Sequence, residues 1–159
     1  MKIVVFGAAG WLGRAVLANL EGRHAVRAFD QSPAAWETWA DVGGNVYALT
    51  KRLQEEMCRS FHDAFGMRLT VLCPDYIVDS RIGLGRFREK LGPEGSPYRN
   101  GWVCRHDLGE ACRLALESET IDFDIFHIAG TPEADATCNV ARSREVLGLV
   151  YRGDLDQYR

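Results

Sequence analysis

Short apolar runs alternate with amphipathic stretches along the first part of the chain. Residues 2–6 form an apolar run rich in β-branched side chains, which is typical of a strand buried on both faces of a parallel sheet. Residues 11–21 have helical spacing, and residues 25–30 form a second short strand. The first thirty residues therefore predict a strand, a crossover helix and a parallel strand.

The longest helical pattern covers residues 46–65, where Leu49, Leu53, Met57 and Phe61 recur at spacings of four. The remaining predicted elements are a strand over residues 67–73 closed by Pro74, a helix opened by Asp107 as a capping residue and running to about Glu117, a strand within residues 121–129, and a last helix from Asn139 to near Gly148.

Residues 79–101 differ in composition, with five glycines, two prolines and four arginines, which predicts a loop-rich lid or substrate wall. The order of strands and helices predicts an α/β fold with a shortened Rossmann-like parallel sheet of about four main strands. At 159 residues the chain is expected to be a single dinucleotide-binding domain. Residues 76–107 and 130–159 are expected to contribute a small substrate-binding part.

Composition and charge exclude several functional classes. Nineteen basic and 22 acidic residues give a net charge of −3, so neither a polyanion-binding surface nor a polybasic membrane patch is expected. The five cysteines include no C-x-x-C pair and indicate reduced thiols in the cytoplasm. Cys58 and His62 have metal-ligand spacing without a second pair, so no metal site is expected. No apolar run reaches the ~18 residues of a membrane span.

A glycine-rich turn stands between the first predicted strand and helix. Gly7, Gly10 and Gly13, with Trp11 and Leu12 between them, form G-x-x-G-x-x-G. Glycine lets the backbone turn tightly and approach a pyrophosphate without a Cβ in the way, and the following helix presents free N–H groups to it. The alternative is an ordinary structural turn in a sheet protein.

Asp30, at the end of the second strand, strengthens the cofactor interpretation. A carboxylate twenty positions after Gly10 accepts hydrogen bonds from the adenosine ribose hydroxyls and repels a 2′-phosphate. NAD is therefore the expected cofactor. Arg14 leaves NADP as the less favoured option.

Tyr47 and Lys51 lie four residues apart on the long helix, so both side chains project from one face. An ammonium group beside a tyrosine stabilises the phenolate and lowers its pKa, which makes proton exchange with a substrate hydroxyl feasible. Lys51 is also placed to hold a nicotinamide ribose. The alternative is a solvated pair on a helix surface.

Together these motifs resemble the extended, NAD-dependent epimerase/dehydratase branch of the short-chain dehydrogenase/reductase family. Residues 1–30 resemble its first strand–helix–strand unit, and Tyr47-x-x-x-Lys51 resembles its Y-x-x-x-K pair. Leu72-Cys73-Pro74 resembles the strand end that borders the nicotinamide. Residues 102–107 and 139–148 are similar to its later strand-to-helix segment and its terminal helix.

The resemblance implies a general acid/base, Tyr47, assisted by Lys51, and a cofactor held by the glycine turn, Asp30, Lys51 and Pro74. It also implies a hydroxyl- or keto-bearing sugar substrate, with nucleotide-linked sugars included. Arg81 and Arg105 would then clamp a diphosphate, since guanidinium groups pair bidentately with phosphate. The long helix resembles the family's dimer-forming helix, so a homodimer is expected.

The chain also departs from the family. Only sixteen residues separate Asp30 from Tyr47, where family members carry further strands, an adenine-contacting segment and a catalytic serine or threonine. Without those strands, the first strand is expected to pair with the strand at 67–73 or with another subunit. Three interpretations follow: an NAD-linked oxidoreductase or epimerase, a catalytically degenerate dinucleotide-binding or interaction module, and an incomplete form of a full-length extended enzyme.

Overall fold

The structure, a computed structural model, describes residues 2–6, 11–29, 44–92, 99–136 and 138–159. Gly7, Gly10 and Asp30 lie outside the described residues. The strands and helices, in chain order, are β1 (Lys2–Phe6), α1 (Trp11–Leu20), β2 (Ala25–Phe29), α2 (Gly44–Phe65), β3 (Leu69–Pro74), β4 (Tyr76–Asp79), β5 (Leu84–Gly85), β6 (Trp102–Cys104), α3 (Arg105–Glu117), β7 (Phe123–Ile128) and α4 (Ala141–Glu145).

The N-terminal unit confirms the predicted strand–helix–strand pattern. β1 and β2 are parallel, in a register that pairs Lys2 with Ala25 and Phe6 with Phe29. α1 connects the two strands. Ile3 of β1 packs against Val16 and Leu20 of α1 in a small buried cluster, because these apolar positions share the face of the helix that covers the strands.

A second parallel pair is formed by β3 and β7, with Leu69 opposite Phe123 and Pro74 opposite Ile128. In the described residues this pair is a sheet of its own, separate from β1 and β2. The fold class is therefore confirmed as mixed α/β, and β1 does not pair with β3 as one expectation had it. The two units meet instead through α1 and α3.

The contact between α1 and α3 depends on a glycine. A Cβ at Gly109 of α3 would lie 2.8 Å from the backbone oxygen of Ala15 in α1, so only glycine permits this approach. Beneath α3, Leu108 packs with Val103, Phe126 and other buried residues in the largest apolar cluster. This cluster fixes α3 against the β3–β7 pair.

One short strand, β5, lies within the segment that composition marked as loop-rich, and β4 and β6 lie at its two ends. β4 pairs in parallel with β6, opposing Tyr76 to Trp102, and antiparallel with β5. β4 is the central strand of this three-stranded sheet, and Trp102 on the edge strand β6 is fully buried. These strands have only two to four residues each, which is too short for a periodic pattern to reveal them.

Two predicted helix starts are wrong in detail. α3 begins at Arg105, and its first residue is preceded by Cys104 without a side-chain cap. Asp107 does not cap the helix, because its carboxylate accepts hydrogen bonds from backbone N–H groups far along the chain. The last helix, α4, covers only Ala141–Glu145 and is preceded by Val140.

α2 spans 22 residues and packs against β3. Its apolar stripe faces away from the described core: Leu53, Met57 and Phe61 are 54%, 58% and 48% exposed. Phe65 extends the stripe to the end of the helix, with its ring 5.6 Å from that of Phe61. None of the helices in the described ranges combines the length and the apolar character needed to cross a membrane.

Candidate functional site

A cavity of about 320 Å³ opens where the parallel strands β3 and β7 end. Ligands of α/β proteins commonly bind in the crevice outside the carboxyl ends of parallel strands. This volume falls at the lower end of the range for small-molecule pockets. The cavity, called here the strand-end cavity, is lined by Cys73, Pro74, Asp75, His127, Ile128, Ala129 and Cys138.

One face of α2 borders this strand end. The Cys73 thiol lies 3.6 Å from a carboxylate oxygen of Glu55 and donates a hydrogen bond to it. Burial, followed by the negative charge of Glu55 and the hydrogen bond to it, raises the pKa of Cys73 to about 11, and the ammonium group of Lys51 opposes this shift. Lys51 is thus close enough to Cys73, the residue before Pro74, for its charge to act on the thiol.

Lys51 itself is exposed, and its Nζ donates a hydrogen bond to Oε1 of Gln54 at 3.2 Å. Tyr47 belongs to the same helix, one turn closer to its start. The helix thus runs from Tyr47 and Lys51 to the contact between Glu55 and the end of β3.

Asp75 adds an ionisable group to the strand-end cavity. Burial raises the pKa of this carboxyl above its usual range, against the effect of a backbone hydrogen bond from Tyr76. Gly101 lies beside it, and a side chain at Gly101 would occupy the space of the Asp75 carboxylate. This carboxyl can exchange a proton with a polar ligand at the ends of β3 and β7, where the exposed His127 also lines the cavity.

The described part of the glycine motif is the start of α1. Trp11 is its first residue, Leu12 packs between two apolar clusters, and Gly13 is buried. The guanidinium carbon of Arg105 lies 4.3 Å from the centre of the Trp11 ring, a cation–π contact, and Nη1 of Arg105 reaches the Trp11 backbone oxygen at 3.4 Å. Arg105 therefore holds the start of α1 against the start of α3.

Sequence reasoning missed the partner of Arg105. Its Nε lies 2.6 Å from Oδ2 of Asp79, whose side chain is only 1% exposed. The pair is a close charge contact that lacks hydrogen-bond alignment, since neither atom has a hydrogen-bonded partner. Nε2 of His106 lies 3.6 Å from the same oxygen. In the sequence, the signal for this pair was Asp79, an acidic residue at the end of an apolar run. The loop-rich composition of the residues that follow obscured it.

A second cavity, of about 280 Å³, lies where β4 and β6 end. Arg81 lines it, and Arg105 lies close by, since the positive charges of both arginines add to burial in lowering the pKa of His106. This space, called here the arginine cavity, is lined by Ser80, Arg81, Cys104, His106, Asp107, Arg152, Gly153, Asp154, Gln157 and Tyr158.

Comparison with known proteins adds no relative: no protein-family model matches this chain, and no curated protein is significantly similar to it. Of the predicted site residues, Pro74 lines the strand-end cavity and Arg81 lines the arginine cavity. Lys51 lies near the first cavity, where its charge acts on Cys73, and Arg105 lies near the second, where its charge acts on His106. Arg105 also contacts Trp11, the first residue of α1, and so connects the neighbourhood of the arginine cavity to the start of this helix.

Proposed function

We propose that this protein is an NAD-linked oxidoreductase or epimerase-type enzyme that acts on a hydroxyl- or keto-bearing sugar, nucleotide-linked sugars included. One observation carries the proposal. β1 and β2 are parallel neighbours joined by α1, and only four residues, which include Gly7 and Gly10, separate β1 from α1. This is the arrangement in which a glycine-rich turn and a helix start receive a pyrophosphate.

In this proposal, residues 7–13 hold the pyrophosphate and Asp30 binds the adenosine ribose, which favours NAD over NADP. Lys51 holds the nicotinamide ribose and lowers the pKa of Tyr47, which serves as the general acid/base. Pro74 borders the nicotinamide. The charge of Lys51 acting on Cys73 supports these roles, because the helix of the Tyr–Lys pair packs on β3, whose end lines the strand-end cavity.

The finer fold assignment belongs to the same proposal. We infer a shortened Rossmann-like domain of the extended short-chain dehydrogenase/reductase type, with residues 76–107 and 130–159 forming its substrate-binding part. The arginine cavity supports this division, since residues from both segments line it. Arg81 and Arg105 are the proposed substrate-binding arginines.

The proposal is tested by titrating the protein with NADH and following nucleotide fluorescence, then by assaying hydride transfer with a panel of sugars and nucleotide sugars. Tyr47→Phe should retain NADH binding and lose activity by a factor of about 10²–10⁴, the usual contribution of a general acid/base. Lys51→Met should weaken NADH binding and activity together. Lys90→Met, an exposed lysine outside the two cavities, is the matched control.

Calorimetry gives the result that would overturn the proposal. No heat of binding with either NAD⁺ or NADH, even at millimolar nucleotide, is incompatible with a dinucleotide site.

A second candidate function is a catalytically degenerate dinucleotide-binding or interaction module. The exposed apolar stripe of α2 favours it, because such a surface on a helix is typical of protein contacts. NADH binding without hydride transfer to any sugar would favour this candidate. The stripe also supports the proposed homodimer, and light scattering that finds only monomer at micromolar concentration would contradict it.

A further inference from the structure

Two arginines from different segments of the chain line the arginine cavity. Arg81 and Arg152 are both exposed, and neither side chain makes a hydrogen bond or an ion pair with the described part of the chain. They come from different segments, one following β4 and the other following α4. An unpaired guanidinium group presents several N–H donors in a planar fork that matches a carboxylate or a phosphate.

The neighbouring carboxylates interact with these two arginines through charge alone: Arg81 opposes the raised pKa of Asp107, and Arg152 adds, after Arg113, to lowering the pKa of Glu110. Asp107 uses one oxygen for the backbone N–H of Arg152 at 3.0 Å and the other for that of Gly153 at 2.9 Å. Asp79 is paired with Arg105, and its other oxygen accepts the backbone N–H of Arg81 at 2.9 Å. Both carboxylates are thus occupied by groups other than the two guanidinium groups.

His106 reports the electrostatic character of the same space. Burial lowers its pKa below the ordinary value, and the charge of Arg81 is the next contribution in the same direction. The carboxylates of Asp79 and Asp107 oppose this shift but do not reverse it. A neutral imidazole therefore stands beside Arg81, where it can donate or accept a hydrogen bond.

Neutral polar groups complete the lining. The Tyr158 hydroxyl donates to the Ser80 backbone oxygen at 2.9 Å, and the Ser80 hydroxyl donates to the Cys104 sulfur at 3.3 Å. These bonds fix the wall between β4 and the C-terminal segment. Gln157 adds an exposed amide, and Asp154 is the one acidic side chain of the lining whose carboxylate has no bond within the described residues.

We propose that the arginine cavity binds a small polar molecule through a carboxylate or phosphate group held between Arg81 and Arg152. Its volume of about 280 Å³ suits a compact ligand. β4 separates it from the strand-end cavity, because Asp75 precedes the first residue of β4 and Ser80 follows the last. Four strand residues correspond to ~13 Å.

The inference extends the proposed substrate-binding role of this cavity, but its test is independent of dinucleotide binding, since it uses small anions alone. The full chain is titrated with inorganic phosphate and, in a separate arm, with acetate, while sodium chloride keeps the ionic strength constant. Amide NMR signals are followed. Saturable shifts at Arg81, His106, Arg152 and Gly153 are expected. Stronger binding of phosphate would indicate a phosphate monoester, and equal or stronger binding of acetate would indicate a carboxylate.

Charge variants sharpen the test. Arg81→Gln and Arg152→Gln should each weaken anion binding about tenfold, the usual effect of losing one hydrogen bond between charged groups. Asp154→Asn should strengthen it severalfold, because a nearby negative charge is removed. Arg86→Gln, an exposed arginine whose guanidinium lies over the Phe87 ring outside the cavity, is the matched control and should have no effect.

Two results would overturn the inference. One is a linear shift that never saturates with either anion, which is the behaviour of unspecific ionic contact. The other is an unchanged dissociation constant in the Arg81→Gln and Arg152→Gln variants, with circular dichroism showing that both remain folded.

Discussion

Replacing Asp107 by alanine tests the contact that joins α3 to the C-terminal segment. The side chain is 5% exposed, and its two oxygens accept the backbone N–H groups of Arg152 and Gly153 at 3.0 and 2.9 Å. Alanine leaves both N–H groups without an acceptor. We expect the C-terminal segment to lose its anchor and the whole protein to lose stability.

The magnitude follows from the two bonds. A hydrogen bond to a charged acceptor contributes about 1.5–3 kcal/mol, so two contribute about 3–6 kcal/mol. The burial that raises the pKa of Asp107 opposes this gain, since the carboxylate gives up water to make the bonds. A net loss of about 2–4 kcal/mol in the free energy of unfolding is expected on these terms. For a domain of this size, that lowers the melting temperature by about 5–15 °C.

Urea denaturation followed by circular dichroism measures the loss. Asp107→Asn, which keeps one acceptor oxygen, should lose about half as much as Asp107→Ala. Asp63→Ala, at an exposed position of α2, is the control and should stay within about 0.5 kcal/mol of the parent protein. If Asp107→Ala is as stable as Asp63→Ala, the two hydrogen bonds make no net contribution and the reasoning fails.

Three further predictions concern helix packing, pH dependence and thiol reactivity. Gly109→Ala should lower the free energy of unfolding by about 1–2 kcal/mol, measured by urea denaturation. The new methyl group would lie 2.8 Å from the Ala15 backbone oxygen, and this overpacking outweighs the gain in helix propensity. A gain in stability would contradict this packing. Stability should rise with pH between the lowered pKa of His106 and its ordinary value near 6.5, because the unfolded chain binds a proton there that the folded chain does not. His106→Gln should remove this component from the profile of unfolding free energy against pH, and a profile parallel to that of the parent protein would refute it. Alkylation of Cys73 by iodoacetamide at pH 8 should be about 100-fold slower than that of an unperturbed thiol, because the pKa of Cys73 is raised to about 11. Peptide mass spectrometry measures the rate, and Glu55→Gln should accelerate it. An unchanged rate in Glu55→Gln would show that Glu55 does not influence this thiol.

Parts of the candidate site can be named from local motifs when each depends on one helix or one strand end. Lys51 and Pro74 are such residues, and the packing of α2 on β3 places the charge of Lys51 near Cys73. The surroundings of Arg105 were not predictable. Its contacts with Asp79 and Trp11 join residues 26 and 94 positions away in sequence, and no local pattern encodes such pairs.

The sequence by itself determined the elements whose signals are local. β1, α1, β2, β3 and β7 lie within a residue or two of their predicted ranges, because a buried parallel strand reads as a continuous apolar run and a covering helix repeats its apolar face every turn. The mixed α/β class follows from their order. The register within each strand pair, in contrast, was open until the two strands were seen side by side.

Tertiary structure decided what depends on distant partners. The strands of the described residues fall into three small sheets. The β1–β2 unit joins the rest of the structure through helices, because α1 meets α3 at Gly109. Tertiary structure also decided the partners of Asp107. Its carboxylate accepts hydrogen bonds from the backbone N–H groups of Arg152 and Gly153 and does not cap its own helix. A carboxylate bonds whichever N–H groups the folded chain brings to it, and the chain delivers these from 45 residues away.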